Sequence, residues 1–235
     1  MTLNGSVVVV AGAGGGAGAA VVHRLAAAGA TVVMANRTLD SLADLTADVS
    51  AAGGTAHPYA VDLVDEAATA AWAASVVSEF GRVDGLVHLV GGWRGGKGIT
   101  ETDLADWDWL SDLLVRTVQH TTRGFHDALR ASPNGRFVLV SAAEASHPTA
   151  KNASYAAAKA AAEAWTLAVA DSFRDSPAAA TIVIVKALLT PAMREAKPDK
   201  VFKGYTDVAD LADTIADLWD KPAADVNGVR EWMTQ

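Results

Sequence analysis

Tyr155 and Lys159 lie four residues apart in a segment that is otherwise mostly alanine. On a helix this spacing places both side chains on one face, so the ammonium lies close to the phenol. A nearby cation favours the phenolate and therefore lowers the pKa of the tyrosine. Such a tyrosine can give a proton to an oxygen or nitrogen that is receiving a hydride. The pair predicts acid catalysis, although an alanine-rich helix without a catalytic role could carry the same two residues.

A glycine-rich turn near the N-terminus strengthens that prediction. The β-branched run Val7 to Val10 indicates a parallel strand buried on both faces, and a helical pattern follows the turn. Glycines in this context let the backbone approach a pyrophosphate, and the helix N-terminus presents its N–H groups. Small residues would also serve close packing of strand and helix. The predicted dinucleotide contacts in this turn are Gly12, Gly14, Gly15, Gly16, Ala17 and Gly18.

The end of the second predicted strand, Thr31 to Ala35, bears on the choice of cofactor. Asn36 and Arg37 follow it directly, and no acid precedes them. In sheets of this kind the residue after strand two meets the adenosine ribose, where an acid accepts the 2′-hydroxyl and an arginine meets a 2′-phosphate. Arginine binds phosphate as a planar fork. We therefore expect NADPH to be preferred over NADH. Alternatively, Arg37 is a solvated surface residue without a role in cofactor binding.

Two further strand ends supply cofactor contacts. The third predicted strand, residues 56–61, delivers Asp62 and Leu63 to the adenine, although Asp62 could equally cap the next helix. The fourth, residues 83–90, ends in Gly91 and Gly92, which would let the nicotinamide lie against backbone. Trp93 follows as a stacking wall for a flat substrate, or as ordinary loop packing.

The remaining pattern alternates helices and strands, which predicts a doubly wound parallel α/β sheet, the Rossmann fold, with about seven strands in one domain spanning residues 1–235. A loop after the sixth strand carries Thr190, which we count among the cofactor contacts. The predicted elements of this half are helix 101–130, strand 137–140 followed by Ser141 and Ala142, helix 154–173, strand 181–185, helix 207–219 and strand 229–233.

Composition excludes several classes of protein. A formal net charge of -8 without basic runs argues against nucleic acid or an anionic membrane as a main partner. The 235 residues contain no cysteine, which suits the reducing cytoplasm and removes thiolate metal sites. The six histidines show no metal-binding spacing, so no metal is expected. Residues 1–6 carry no basic side chain, which argues against a signal peptide, and no apolar segment is long enough for a membrane span.

The two motifs together resemble the short-chain dehydrogenase/reductase family over essentially the whole chain. Its T-G-x-x-x-G-x-G turn begins here at Ala11, which replaces the threonine, and its Y-x-x-x-K pair is Tyr155 and Lys159. The resemblance implies that Tyr155 exchanges the proton and that Lys159 holds the nicotinamide ribose while lowering the pKa of the tyrosine. It also implies a homodimer, or a homotetramer, built on helices 101–130 and 154–173 with the small side chains of Ala156, Ala160 and Ala164 at the contact.

Three positions depart from the family pattern. The N-N-A-G segment after the fourth strand is H-L-V-G here. The relay asparagine falls near Leu114 or Val115, and neither can take its role. The active-site serine, thirteen residues before the tyrosine, falls on Ala142, with Ser141 one place upstream. A one-residue bulge would bring Ser141 back as a catalytic residue, and otherwise Ala142 contacts the substrate.

One branch of the family, the quinonoid dihydropteridine reductases, is similar in these same departures. It also carries a G-G-W-x-G-G segment, as at residues 91–96, and a T-P-M turn similar to residues 190–193. Arg37 and Lys186 differ from that branch, which has an acid and a proline there. The resemblance implies hydride transfer to a small conjugated acceptor. An ordinary carbonyl or oxoacyl reductase or alcohol dehydrogenase is the second interpretation, and a weakly active nucleotide-binding sensor is the third.

Overall fold

A parallel sheet of seven strands, in the order β3-β2-β1-β4-β5-β6-β9, organises the molecule. The computed structural model describes residues 3–233, so the ends of the predicted domain, residues 1–2 and 234–235, lie outside it. Two short strands, β7 and β8, pair in a separate small sheet. The strands are β1 (Val7–Ala11), β2 (Thr31–Asn36), β3 (Thr55–Ala60), β4 (Gly85–His88), β5 (Arg136–Ala142), β6 (Ala179–Val185), β7 (Leu188–Leu189), β8 (Thr206–Asp207) and β9 (Arg230–Trp232).

Helices cover both faces of the sheet. They are α1 (Gly18–Ala27), α2 (Asp40–Ala51), α3 (Glu66–Phe80), α4 (Ala105–Ser111), α5 (Thr117–Ala131), α6 (Ala153–Ser172), α7 (Pro191–Ala196), α8 (Val208–Asp217) and α9 (Ala223–Val226). A π-helical turn, Asp112–Arg116, joins α4 to α5, and a 3-10 turn, Ala143–Ala145, follows β5. Within residues 3–233, no helix combines the length and the hydropathy that a membrane crossing requires.

The continuous apolar runs of the central strands follow from burial on both faces. All five residues of β1 are buried. Val8 and Val10 pack with α1 and α8 in one core cluster, whereas Val7 and Val9 pack with α3 and α5 in the other. Because successive side chains of a strand point to opposite faces, each residue of such a strand must be apolar. The predicted doubly wound parallel fold is confirmed.

The order of the strands fixes the position of the site. From β1 the chain first builds outward through β2 and β3, and then crosses to the other side of β1 to build β4, β5 and β6. Adjacent crossovers therefore diverge at β1 and β4. In open parallel sheets this divergence leaves a crevice at the carboxyl ends of the strands, where ligands bind.

Several predicted boundaries near the crevice were wrong. Strand β4 ends at His88 rather than Val90, because the following segment leaves the sheet as a loop. Strand β5 runs two residues further than predicted, so Ser141 and Ala142 belong to the strand and pair with β6. The predicted helix 101–130 begins only at Ala105 and is interrupted by the π turn.

Helix capping also differs from the sequence interpretation. Asp65, and not Asp62, is the N-cap of α3, because its side chain accepts a hydrogen bond from the Ala68 amide. The loop after β6 is partly helical. Thr190 caps α7 by accepting from the Met193 amide, and Pro191 occupies the first turn, where its missing N–H costs nothing.

Candidate active site

A cavity of about 820 Å³ lies at the carboxyl ends of the central strands. Its wall combines the glycine turn with the ends of β2, β4, β5 and β6 and one face of α6. The structure thus brings together most of the residues selected from the sequence. Those on the wall are Gly12, Gly14, Gly15, Gly16, Ala17, Asn36, Arg37, Asp62, Leu63, Gly91, Gly92, Trp93, Ser141, Ala142, Tyr155 and Lys159.

Two predicted cofactor contacts do not lie on this wall. Gly18 is buried under the turn, where an added Cβ would collide with the carbonyl of Ala13, so the glycine serves close packing. The side chain of Thr190 instead caps α7, and its methyl group would lie 3.4 Å from a Cβ added at Gly16. Thr190 is therefore a neighbour of the glycine turn rather than part of the cavity wall.

The glycine turn has the geometry that a pyrophosphate needs. Gly12 has a φ of +82°, and a Cβ there would lie 2.8 Å from the backbone nitrogen of Val90. The turn therefore lies against the loop after β4 with no room for a side chain, and it leads directly into the N-terminus of α1. The amides of Gly12, Ala13 and Gly15 are bonded to carbonyls within the protein, and the N-terminus of α1 offers the positive end of its helix dipole to a bound anion. The residues present fit a dinucleotide.

The rim beyond β2 is polar and cationic. Arg37 is exposed at the cavity edge and forms no salt bridge with any residue in the range 3–233. The Asn36 side chain donates to the hydroxyl of Ser41. Across the rim, the Asp62 carboxylate accepts from the Val64 amide at 3.0 Å, which stabilises the turn at the end of β3.

Lys159 is buried, and its ammonium donates a hydrogen bond to the carbonyl of Val140 at 3.0 Å. Burial lowers the pKa of Lys159 to about 8, against the opposing influence of the Glu163 and Glu144 carboxylates. Desolvation therefore outweighs the two negative charges, and the lysine is only moderately basic.

The pKa of Tyr155 moves in the direction opposite to the sequence prediction. Burial, aided by the Glu144 carboxylate, raises the pKa of the phenol to about 12. The prediction that Lys159 lowers this pKa was wrong for this structure. The physical reason is that a half-buried phenol loses solvation of its anion, while the ammonium of Lys159 is directed to a backbone carbonyl.

The end of β5 separates the two candidates for the serine position. Ser141 is buried, and its hydroxyl donates to the Glu163 carboxylate at 2.6 Å on the α6 side of the sheet. Successive residues of a strand point to opposite faces, so Ala142 points away from that contact. Both residues belong to a regular parallel pairing with β6, so no bulge shifts the register.

Sequence reasoning missed the contribution of the π turn, and in the segment after β6 it selected Thr190 as the contact, whereas Lys186 and Leu188 line the wall. The wall also includes Trp109, Asp112, Leu113, Thr117, Lys186 and Leu188. A regular helix would have put Leu110, Leu113 and Leu114 on one buried face, and no sequence signal marks the extra residue of a π turn. Such turns are often found at functional sites. For the segment after β6 the sequence did offer one indication, because Lys186 departs from the dihydropteridine reductase branch.

Aromatic and charged side chains line the mouth of the cavity. Trp93 is 59% exposed, and the Arg94 guanidinium stacks on the Trp109 ring 4.2 Å from its centroid. Behind them, Leu114 at the expected asparagine position is buried in a small cluster with Leu110. The mouth of the cavity therefore combines the aromatic rings of Trp93 and Trp109 with the charged side chains of Arg94, Asp112 and Lys186.

His88, another residue that the sequence analysis did not select, is buried at the end of β4. Burial, with the charge of Lys159, lowers the pKa of its imidazole to about 3. A neutral ring therefore lies beside the lysine.

Comparison with known proteins assigns the family. A family model described as short chain dehydrogenase matches residues 6–201. The chain is 33% identical over 137 residues to a short chain dehydrogenase of Pseudocercospora fijiensis, covering 58% of this chain and 44% of that protein. It is 29% identical over 176 residues to 2,5-dichloro-2,5-cyclohexadiene-1,4-diol dehydrogenase LinX of Sphingobium indicum, covering 75% of this chain and 70% of LinX.

A solved structure gives the same result. A metagenomic short-chain oxidoreductase in complex with NADP superposes with a TM-score of 0.81 at 27% identity, covering 98% of this chain and 99% of the other. The match to the Pseudocercospora fijiensis dehydrogenase spans less than half the length of that protein. The family match itself extends from before β1 to beyond α7 and includes both motifs. The chain therefore belongs to the short-chain dehydrogenase/reductase family of oxidoreductases.

Proposed function

We propose that residues 1–235 form one NADP(H)-dependent reductase unit that transfers hydride to a small, flat, conjugated acceptor of the quinonoid dihydropterin type. The observation that carries this proposal is the end of β5. Ala142 takes the position expected for the active-site serine, while the hydroxyl of Ser141 is bound to Glu163. A ketone needs donors aimed at its developing oxyanion. A conjugated ring system spreads the charge over several atoms and needs fewer of them.

The bound reduced cofactor would supply the hydride, and the chain's own residues would bind and protonate. The glycine turn would hold the pyrophosphate, and Arg37 at the rim would bind a 2′-phosphate. Lys159 would hold the nicotinamide ribose. Tyr155 would give the proton: its phenol is protonated at neutral pH, although burial raises its pKa to about 12 and so makes it a weaker acid than a free tyrosine. The indole ring of Trp93 would stack on the flat acceptor.

Consumption of NADPH tests the proposal. NADPH oxidation is measured with quinonoid dihydropterin and with a panel of simple ketones and aldehydes, and cofactor affinity is measured in parallel. We expect turnover with the dihydropterin and much slower turnover with the ketones. Equal or faster turnover with ketones would contradict the proposed acceptor. Cofactor binding without turnover of any acceptor would favour a sensor over an enzyme.

A second candidate is an ordinary carbonyl reductase or alcohol dehydrogenase. It is favoured by the similarity to LinX, which is named as a diol dehydrogenase. In that case Tyr155 would act on an alcohol or carbonyl oxygen without help from a serine hydroxyl. Oxidation of alcohols with NADP⁺ or NAD⁺ at alkaline pH distinguishes this activity from the first.

We further propose that two copies associate through α4, α5 and α6. Leu104 and Trp107 are exposed apolar side chains at the start of this region, with 75% and 38% of their surface accessible. Ala160 and Ala164 lie exposed on α6, whereas Ala156, also predicted at the contact, is buried within its own chain, so the proposed contact uses the first two. Light scattering at micromolar concentration tests the homodimer. A monomer would exclude it, whereas a homotetramer would be consistent with this interface and would require a second one.

A further inference from the structure

Glu163 is a buried carboxylate that the proposed mechanism does not use. It lies on α6 one turn after Lys159 and is 3% exposed. One oxygen accepts the Ser141 hydroxyl at 2.6 Å, and the other accepts the Arg230 guanidinium Nε at 2.9 Å. A buried charge is retained only when it is paired and hydrogen-bonded. Both of its partners come from the sheet, so the carboxylate fixes α6 against the strands.

The contacts of α6 with β5 form a pair. Lys159 binds the carbonyl of Val140, and Glu163, one helical turn later, binds the side chain of the next residue, Ser141. Strand β6 lies between β5 and β9, so Glu163 reaches across it to Arg230. These bonds hold the carboxyl end of β5, the part of the sheet that carries Ala142, against the helix that carries Lys159.

Charge balance around Lys159 gives Glu163 a second effect. The Glu163 carboxylate favours the ammonium form, as does Glu144 on the 3-10 turn, against the cost of burial. His88 on β4 is neutral at physiological pH. The other ionisable groups on the same cavity wall are Arg37, Asp62, Asp112, Tyr155 and Lys186.

We propose that Glu163 is a positioning residue that holds the end of β5 against α6 and places a buried carboxylate one helical turn from the ammonium of Lys159, with Arg230 moderating its effect. The inference deepens the proposed function, because Lys159 is the group that would hold the ribose. It also assigns Ser141 a partner outside the reaction, so that the serine hydroxyl serves the helix contact.

The pKa of Lys159 tests the proposal without any cofactor or substrate. The protein is labelled with ¹³Cε-lysine, the Lys159 signal is identified by its loss in Lys159→Met, and the signal is titrated by NMR. Glu163→Gln keeps the shape and can still accept from Ser141, but it removes the negative charge. We expect the pKa of Lys159 to fall by about one unit. Glu79→Gln, which removes a carboxylate bound to Tyr59, is the matched control and should leave this titration unchanged.

A second variant shifts the same titration in the opposite direction. Arg230→Gln leaves the Glu163 charge less neutralised, so the pKa of Lys159 should rise. If Glu163→Gln fails to fold, Arg230→Gln still allows the proposal to be tested. An unchanged pKa in a folded Glu163→Gln protein, or an unchanged or lowered pKa in Arg230→Gln, would overturn the proposal.

The pH profile of turnover separates this inference from the proposed function. In Glu163→Gln the alkaline limb of kcat/KM should move to lower pH together with the NMR titration. If the NMR pKa moves as expected but no acceptor is turned over by the wild type, the positioning role stands and the proposed function fails. If turnover is present but the titration and the limb stay in place, the proposed function stands and the positioning role fails.

Discussion

The wall of the cavity around the glycine turn and the wall formed by β5 and α6 are built by different means. The first is mostly backbone: Gly12 approaches the loop after β4 so closely that no Cβ fits there. The second depends on buried side chains that bind one another, Lys159 to Val140 and Glu163 to Ser141. The backbone wall cannot accept a side chain at Gly12, whereas the side-chain wall can exchange one functional group for another and so change the acceptor.

Removal of the phenol should have the largest effect on the side-chain wall. We expect Tyr155→Phe to lower kcat for ketone reduction by about 10²–10⁴, the usual contribution of a positioned acid. Dihydropterin reduction should suffer far less, because the conjugated acceptor is less dependent on one donor. Steady-state rates on both acceptors measure this difference. Equal losses on the two acceptors would mean that both reactions depend equally on the proton of Tyr155.

Insertion of a hydroxyl at the alanine position should change acceptor preference. We expect Ala142→Ser to raise kcat/KM for simple ketones by roughly tenfold or more, because a single oxyanion donor is typically worth a factor of that size or larger. Dihydropterin reduction should stay nearly constant and serves as the internal control. No gain on any ketone would show that Ala142 does not face the reacting oxygen.

Substitution of Arg37, at the rim of the cavity next to the backbone wall, should change the cofactor preference. We expect Arg37→Asp to weaken NADPH binding by about 1.5–3 kcal/mol, the range of a charge-assisted hydrogen bond, and to favour NADH. Arg130→Asp makes the same charge change at an exposed position of α5 away from this cavity and should leave the cofactor ratio intact. Titration of both cofactors by fluorescence measures the effect. A wild-type preference for NADH would contradict the assignment of Arg37.

The close approach at Gly12 can be separated from its backbone conformation. Gly12 and Gly53 have almost the same positive φ, +82° and +81°, but a Cβ at Gly53 meets nothing within 4 Å. Alanine at either position should cost about 1–2 kcal/mol for the left-handed backbone. Gly12→Ala should lose stability and cofactor affinity beyond Gly53→Ala, as measured by denaturant unfolding and binding. Equal losses of stability and affinity in the two variants would mean that the backbone at Gly12 can shift away from Val90 to accept the added Cβ.

The difference between the two walls also explains what the sequence could predict. Strand–turn–helix patterns and glycine spacing are local properties, so the Rossmann fold was predicted correctly, and the glycine turn lies between β1 and α1 on the cavity wall as expected. The side-chain wall depends on contacts between distant segments. The hydrogen bond of Ser141 to Glu163 joins residues 22 positions apart. No local sequence pattern predicts such a contact.

The errors have the same origin. Asp62 and Asp65 are both good capping residues, and only the observed hydrogen bond to Ala68 decides between them. The direction of the Tyr155 pKa shift depends on burial and on Glu144, neither of which a four-residue spacing reveals. The π turn that brings Asp112 to the cavity inserts an extra residue per turn without a sequence signature.

Ser141→Ala tests the central claim most directly, because the account depends on which of two adjacent residues faces the reaction. The measurement is kcat/KM for the dihydropterin and for the ketone panel at constant pH with saturating NADPH, together with the unfolding midpoint. The account predicts that activity persists on whichever acceptors the wild type reduces, with at most a modest loss of stability from the missing bond to Glu163. Abolition of activity on every acceptor in a folded protein would make Ser141 the working serine and would contradict the account.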